Sequence, residues 1–236
     1  MYGRGGAQMQ FGPRVTPDAI KWLIGANIAV FLLQGLGITP LLYLKPELFW
    51  RGGQLWRVAT YMWIHEGPMH LILNMLGLWM FGSDVAAQWG SRRFLRFYLL
   101  CGIGAGLVIA VWQGGLLWLG LGMPAYTLGA SGAIYGVLLA YSLLWPNRTV
   151  MFIFPPVPVR AIYFIPFLFL MEMIFASPGV SHIGHLGGVL VGFLLLVQSN
   201  DAGITISQLQ YRFRRWRMRG KLRALDDEES NRRRFH

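Results

Sequence analysis

The chain has 236 residues, 55% of them hydrophobic and only 13% charged, with a formal net charge of +11. A soluble domain carries about 25% charged residues, so these proportions exclude an ordinary water-soluble globule. The cations flank apolar blocks instead of forming one basic face, which argues against nucleic acid as the partner.

Residues 1–19 are polar and Gly-rich, and the reading expects a cytoplasmic tail with no cleavable signal peptide. Six apolar blocks follow, near 20–39, 60–82, 94–119, 128–145, 161–177 and 182–199. Each is long enough to cross a hydrocarbon core of about 30 Å as a helix. Between the first two, residues 40–58 carry Leu48, Phe49, Trp50, Leu55 and Trp56. A loop so apolar is expected to lie in the headgroup interface, where tryptophan is favoured. Cys101, the single cysteine, stands among Gly102, Gly104, Ala105 and Gly106. It has no intrachain disulfide partner and reads as packing. The run Pro155-Pro156-Val157-Pro158 breaks the chain before the fifth block. Residues 200–236 form a basic tail, and Tyr211 to Arg223 interleaves arginine with Phe213, Trp216, Met218 and Leu222. Such a segment suits an anionic lipid surface, at about 1 kcal/mol per cation, unless it is a solvated tail that only enforces topology.

The charges orient the six blocks. With both termini in the cytoplasm, all but three of the 21 Lys and Arg fall on the inner side. The exceptions, Lys45, Arg51 and Arg57, lie in the first outer loop. The positive-inside rule therefore predicts six spans with both ends cytoplasmic. The second, fourth and sixth spans then run from outside to inside. His65 and His70, Ser131, and His182 and His185 stand at the starts of those spans. All five share one depth, in the outer part of the membrane. Ionisable groups at such depth are functional candidates by default.

Spacing suggests which helices meet. Gly184, Gly188 and Gly192 recur every four residues, as do Gly132 and Gly136. Small residues at this interval let two backbones approach, so the fourth and sixth spans are expected to pack and bring Ser131 toward His182 and His185. His70 and Asn74 are four apart and share a face. Tyr135 lies one turn below Ser131. A serine needs a base to become nucleophilic, a histidine is the usual base, and donors must stabilise the oxyanion. Ser131, a sixth-span histidine, and His70 with Asn74 fill these three roles. Gly129 and Gly132 leave room for substrate backbone. A third, orienting carboxylate is not evident: Glu66 adjoins His65 at the rim, and Glu172 is the only acid deep in the fifth span. The reading is therefore a Ser–His dyad.

These residues resemble the rhomboid family of intramembrane serine proteases, over residues 20–199. The motif Gly-x-Ser-Gly stands at Gly129-Ala130-Ser131-Gly132, followed by Tyr135; the His, His, Asn pattern at His65, His70 and Asn74; the Trp-Arg pair at Trp56-Arg57. The sixth-span pattern of His with Gly three and seven residues later is met by His185, Gly188 and Gly192, and not by His182. The resemblance implies an all-α membrane protein, a six-transmembrane-helix rhomboid-like bundle. It implies Ser131 as nucleophile, His185 as base with Tyr135 beside it, and an oxyanion hole of His70, Asn74 and the Ser131 N–H. The fifth span would be a substrate gate, with Phe167, Phe169 and Phe175 as a door. Substrates would be transmembrane segments of other membrane proteins, cut near their outer end. No cofactor or metal is called for. The chain is read as a multi-pass protein of a prokaryotic inner membrane. One departure is Ala86, where many members carry a glutamate.

Milder readings stand beside these. Taken singly, Ser131 suits helix packing, His70 and Asn74 suit interhelical hydrogen bonding, and His65 and His182 suit structural roles. Trp56-Arg57 suits an interface anchor better than a substrate contact. Glu172 would either face a polar gap near the gate or pair with a donor. His65-Glu66-Gly67-Pro68-Met69-His70 superficially resembles His-Glu-x-x-His, but one residue too many takes the imidazoles off the shared face that zinc needs. A catalytically inactive rhomboid relative that binds and escorts membrane proteins is the remaining alternative.

Overall fold

The computed structural model describes residues 12–122, 125–151, 157–174 and 181–199. Arg4, Pro155, Pro156, Phe175 and the whole tail from 200 to 236 lie outside the described residues. Residues 1–194 form one compact unit; of a second, 195–236, only the end of the last helix is described.

Helix α1 spans Asp18–Leu33 and tightens into a 3₁₀ turn at Gln34–Leu36. The first loop is not a floating strand of chain. It contains α2, Pro46–Trp50, and single helical turns at Thr39–Leu42 and Arg57–Thr60. Helix α3 spans Pro68–Gly77, with Gly67 extended before it and Pro68 in the first turn, a position where the missing N–H costs nothing. A π turn at Leu78–Gly82 joins α3 to α4, Ser83–Trp89, so one helical stretch runs from Pro68 to Trp89. Gly90, at φ 83°, ends it; this left-handed backbone is open to glycine at little cost. Helix α5 spans Ser91–Trp118, α6 Ser131–Leu144, α7 Phe164–Ile174 and α8 His182–Ser199.

Two boundaries differ from expectation. The second apolar block was expected to be helical from residue 60, but the long helix begins at Pro68. His65 therefore precedes α3, and His65 and His70 do not share one helix. The expected all-α fold also holds one antiparallel ribbon, β1 Thr149–Met151 with β2 Pro158–Arg160, in the connection between α6 and α7.

The stretch Asp18–Leu36, α5 and α8 are each long and apolar enough to cross a membrane, while α6 and Ala161–Ile174 are shorter apolar helices. Their outward faces are greasy: Leu107, Val111 and Trp112 of α5 and Leu186, Leu190 and Leu194 of α8 are exposed. Such a surface suits lipid and not water.

Helix α5 is the central post, and its glycines are docking points. Tyr61 donates its hydroxyl to the Gly102 carbonyl at 2.8 Å. A Cβ on Gly106 would stand 2.7 Å from the Val58 carbonyl oxygen, and one on Gly114 2.6 Å from the Trp50 indole nitrogen. That indole donates to the Ala110 carbonyl at 2.9 Å. The first loop is thus bolted to α5. Its inner fastening is Arg57, only 3% exposed, whose guanidinium donates to Gln54 Oε1, the Tyr43 carbonyl and the Pro40 carbonyl at 2.6, 2.6 and 3.0 Å. Trp56 stays exposed. Of the Trp-Arg pair, the arginine organises the loop from inside and the tryptophan faces out.

At the opposite end of α6 from Ser131, Arg148 pairs with Asp84 of α4 and lies over the rings of Tyr141 and Trp145, 5.6 and 4.9 Å from their centroids. Ala86 is fully buried two residues away. Asp84 supplies a polar tie at this end.

Candidate active site

Ser131 is the first residue of α6. The first intrahelical bond of that helix runs from the Ile134 N–H to the Ala130 carbonyl. The N–H groups of Ser131, Gly132 and Ala133 precede it, so they belong to the orphan donors of a helix N-terminus, the positive end of its dipole. The approach to Ser131 is pinned on both sides. Thr127 and Leu44 exchange backbone hydrogen bonds at 2.8 and 2.9 Å, and the Gly129 N–H donates to the Tyr61 carbonyl at 2.9 Å.

Two glycines admit the rest of the site. Gly129 has φ 114°, and a Cβ there would stand 2.8 Å from Cε1 and Nε2 of His70. A Cβ on Gly132 would meet the Ala105 Cβ at 2.9 Å and the Gly184 carbonyl oxygen at 3.3 Å. The glycine rows meet as the spacing predicted: Gly188 against Gly132, Gly192 against Gly136. Cys101 Sγ sits beside the same seam and is buried.

That close approach brings Ser131 and His185 together across 54 residues of chain, with Oγ and Nε2 2.8 Å apart. His185 is buried, and its ring stacks on Tyr135, centroids 4.2 Å apart and planes 9° from parallel. With the ring so fixed, an imidazole bare at Nε2 can accept a hydrogen bond from the Ser131 hydroxyl. His182 is not in this contact; it is exposed, and its Nδ1 lies 3.1 Å from Glu172 Oε2.

His70 presents its Nε2 edge toward Gly129. Its Nδ1 accepts from the Glu66 backbone N–H at 3.4 Å, a long bond that nonetheless favours the proton on Nε2, where it faces the site. Asn74 is buried and spends one amide N–H on the His70 carbonyl at 2.8 Å, leaving the second available. His65 is fully buried, and its ring meets His70 edge-on, centroids 5.1 Å apart. Its backbone is clamped in both directions by Gln34: the His65 N–H donates to Gln34 Oε1, and Gln34 Nε2 donates to the His65 carbonyl, each at 2.9 Å. His65 thus backs His70 and does not touch Ser131. Among the described residues no group of three or more His, Cys, Asp or Glu is arranged to hold a metal ion.

The sequence reading left Glu172 unassigned, and here the structure adds most. Its carboxylate, on α7, is bound from two other helices. The Tyr135 hydroxyl donates to Oε1. His182 Nδ1 lies at Oε2. Oε1 also stands 2.7 Å from His185 Nδ1, although the ring N–H does not point along that line, so the contact falls short of an aligned hydrogen bond. Spacing could not reveal this, because the partners sit 37, 13 and 10 residues away on separate helices. The one available signal was a lone acid in an apolar span, which must find partners. Phe169, a turn earlier on α7, has its ring 5.6 Å from Tyr135.

The chain is 31% identical to RHOMBOID-like protein 6, mitochondrial, of Arabidopsis thaliana, over 76% of this chain and 61% of that one. It is 31% identical to Rhomboid protein 1, mitochondrial, of Saccharomyces cerevisiae, over 73% and 50% respectively. It is 33% identical to Rhomboid protease GluP of Bacillus subtilis, over 60% and 25%. The chain thus spans from a quarter to about three fifths of these relatives' lengths. Two of them are named as mitochondrial, so the expected prokaryotic inner membrane draws no support from them. The rhomboid domain family matches residues 52–198, which include every candidate residue above. With its apolar helices and their exposed apolar faces, the chain is an integral membrane protein, and it belongs to the rhomboid family.

Proposed function

We propose that the chain is an intramembrane serine endopeptidase that cuts transmembrane segments of other membrane proteins near their outer end. The observation that carries this is the 2.8 Å contact between Ser131 Oγ and His185 Nε2. Ser131 Oγ attacks the scissile carbonyl as His185 Nε2 takes its proton. The oxyanion is received by the Ser131 N–H, His70 and Asn74. His185 then protonates the leaving amine, and the acyl-enzyme forms. A water, deprotonated by His185, attacks the ester, and His185 gives that proton to Ser131 Oγ as the acid product leaves. These roles need a fixed base and donors aimed at the developing charge. The stacked Tyr135 and the α6 N-terminus supply both.

Cleavage at the outer end follows from the six-span, both-ends-in topology that the cation distribution supports. A helical substrate hides its carbonyls in hydrogen bonds, so it must unwind locally, and Gly or Pro near the cut should help. The test is cleavage of a panel of single-span proteins by the purified protein and by Ser131→Ala, with the cut sites mapped. Cuts near the outer end by the parent alone support the reading. Cuts clustered at the cytoplasmic end overturn the topology. The inactive escort reading predicts substrate capture with no cleavage and no labelling of Ser131 by a fluorophosphonate. The Ser131–His185 contact speaks against it.

A further inference from the structure

Rhomboid-type hydrolysis, as proposed above, asks for two groups, Ser131 and His185. The structure holds a third. We infer that Glu172 is a positioning residue of this site, holding the His185 imidazole with its proton on Nδ1 so that Nε2 stays free to act on Ser131. The inference rests on the protease reading and deepens it.

A carboxylate in an apolar span is costly unless partnered. Glu172 could have met that need anywhere along α7. Instead both its oxygens face the catalytic side of α6 and α8. Oε2 is occupied by His182, at 3.1 Å. Oε1 takes the Tyr135 hydroxyl and stands 2.7 Å from His185 Nδ1. Tyr135 thereby does two things at once. Its ring fixes the plane of the His185 imidazole, and its hydroxyl fixes the carboxylate that addresses the edge of that imidazole. The Glu172 side chain is only 16% exposed, so little water competes for it. A neutral imidazole has two tautomers, and only the one protonated at Nδ1 can accept at Nε2. The negative charge beside Nδ1 favours that tautomer and stabilises the imidazolium formed during attack. This is the role of the third member in a serine triad, which does not itself take the proton. The N–H is imperfectly aligned in the resting arrangement, as catalytic hydrogen bonds often are before substrate binds.

The location has a consequence. Ser131 and His185 ride on α6 and α8, but Glu172 rides on α7. The base is therefore held by Glu172 only while α7 is seated against α6 and α8.

The experiment compares the full chain with Glu172→Gln and Glu172→Asp in detergent micelles. Three quantities are read: the rate of Ser131 labelling by a fluorophosphonate, kcat and KM for one cleaved substrate, and the ¹⁵N signals of His185. Glu172→Gln keeps shape and hydrogen bonding to Tyr135 but loses the charge. It should slow labelling and kcat at least about tenfold with KM little changed, and mix the two His185 tautomers. For comparison, an Asp→Asn change in a soluble triad lowers kcat about 10⁴-fold. Glu172→Asp should recover part of the loss. Parent-like labelling in Glu172→Gln, or slowed labelling with His185 still held at Nδ1–H, overturns the inference and leaves the protease reading intact. Failure of the parent itself to label at Ser131 removes both.

Discussion

Gly188 lies so close to Gly132 that a Cβ on Gly188 would overlap the Gly132 carbonyl oxygen. This contact sets the distance between α6 and α8, and with it the reach from Ser131 to His185. Gly188→Ala forces the helices apart against backbone, which cannot swing aside. It should lower stability by about 3 kcal/mol or more and reduce Ser131 labelling, measured by thermal unfolding and probe rate together. A stable, fully labelled Gly188→Ala protein would show that the two helices do not meet this way.

Ser131→Ala and His185→Ala should each abolish cleavage, by at least about 10³-fold, while leaving the fold intact, because the two act as a unit. His182→Ala should keep measurable activity, since His182 touches Glu172 and not Ser131. The reverse ranking of His182 and His185 would reassign the base.

Gly129→Ala meets two penalties. Its φ of 114° is strained for an L side chain, and the new methyl strikes the His70 ring. The backbone term alone is about 1–2 kcal/mol. If His70 is a donor to the oxyanion, kcat should fall well beyond what the stability loss explains. Equal kcat in folded Gly129→Ala and parent would detach His70 from the chemistry.

The double variant His70→Ala, Asn74→Ala should lose about 10²–10³-fold in kcat with a much smaller change in KM, because oxyanion donors act mainly on the transition state. Single variants should lose less, as the Ser131 N–H and the remaining donor share the charge. An unchanged kcat in the double variant would leave the backbone N–H groups as sole donors.

Arg57→Ala should destabilise the protein by about 2–4 kcal/mol, since three part-buried acceptors lose a charged donor. Arg57→Lys should not restore it, because an ammonium cannot reproduce the planar fork. Thermal unfolding and protease nicking within residues 40–58 read the effect. A silent Arg57→Ala would mean that α2 and its indole anchor hold the loop alone.

The sequence by itself determined the apolar helices and the glycine seam, and it left His182 and His185 both open as partners of Ser131 until the rhomboid resemblance singled out His185. The first two are written locally: an apolar run long enough to span, and glycines at every fourth position on two helices. Local periodicity reports which face of a helix is small or apolar, and two such faces find each other by elimination. Periodicity set the helix start too early, because the apolar run continues unbroken through Tyr61–Trp63, whereas Gly67 and Pro68 set the true start after His65. Nor could it place Arg57 inside the first loop, since its carbonyl partners Pro40 and Tyr43 carry no side-chain signature. Glu172 is the sharpest case. Its three partners lie on α6 and α8, and their meeting depends on how far α7 leans over that pair. Only the packed helices decide that angle, because a buried carboxylate takes whatever donors the assembled fold brings within reach.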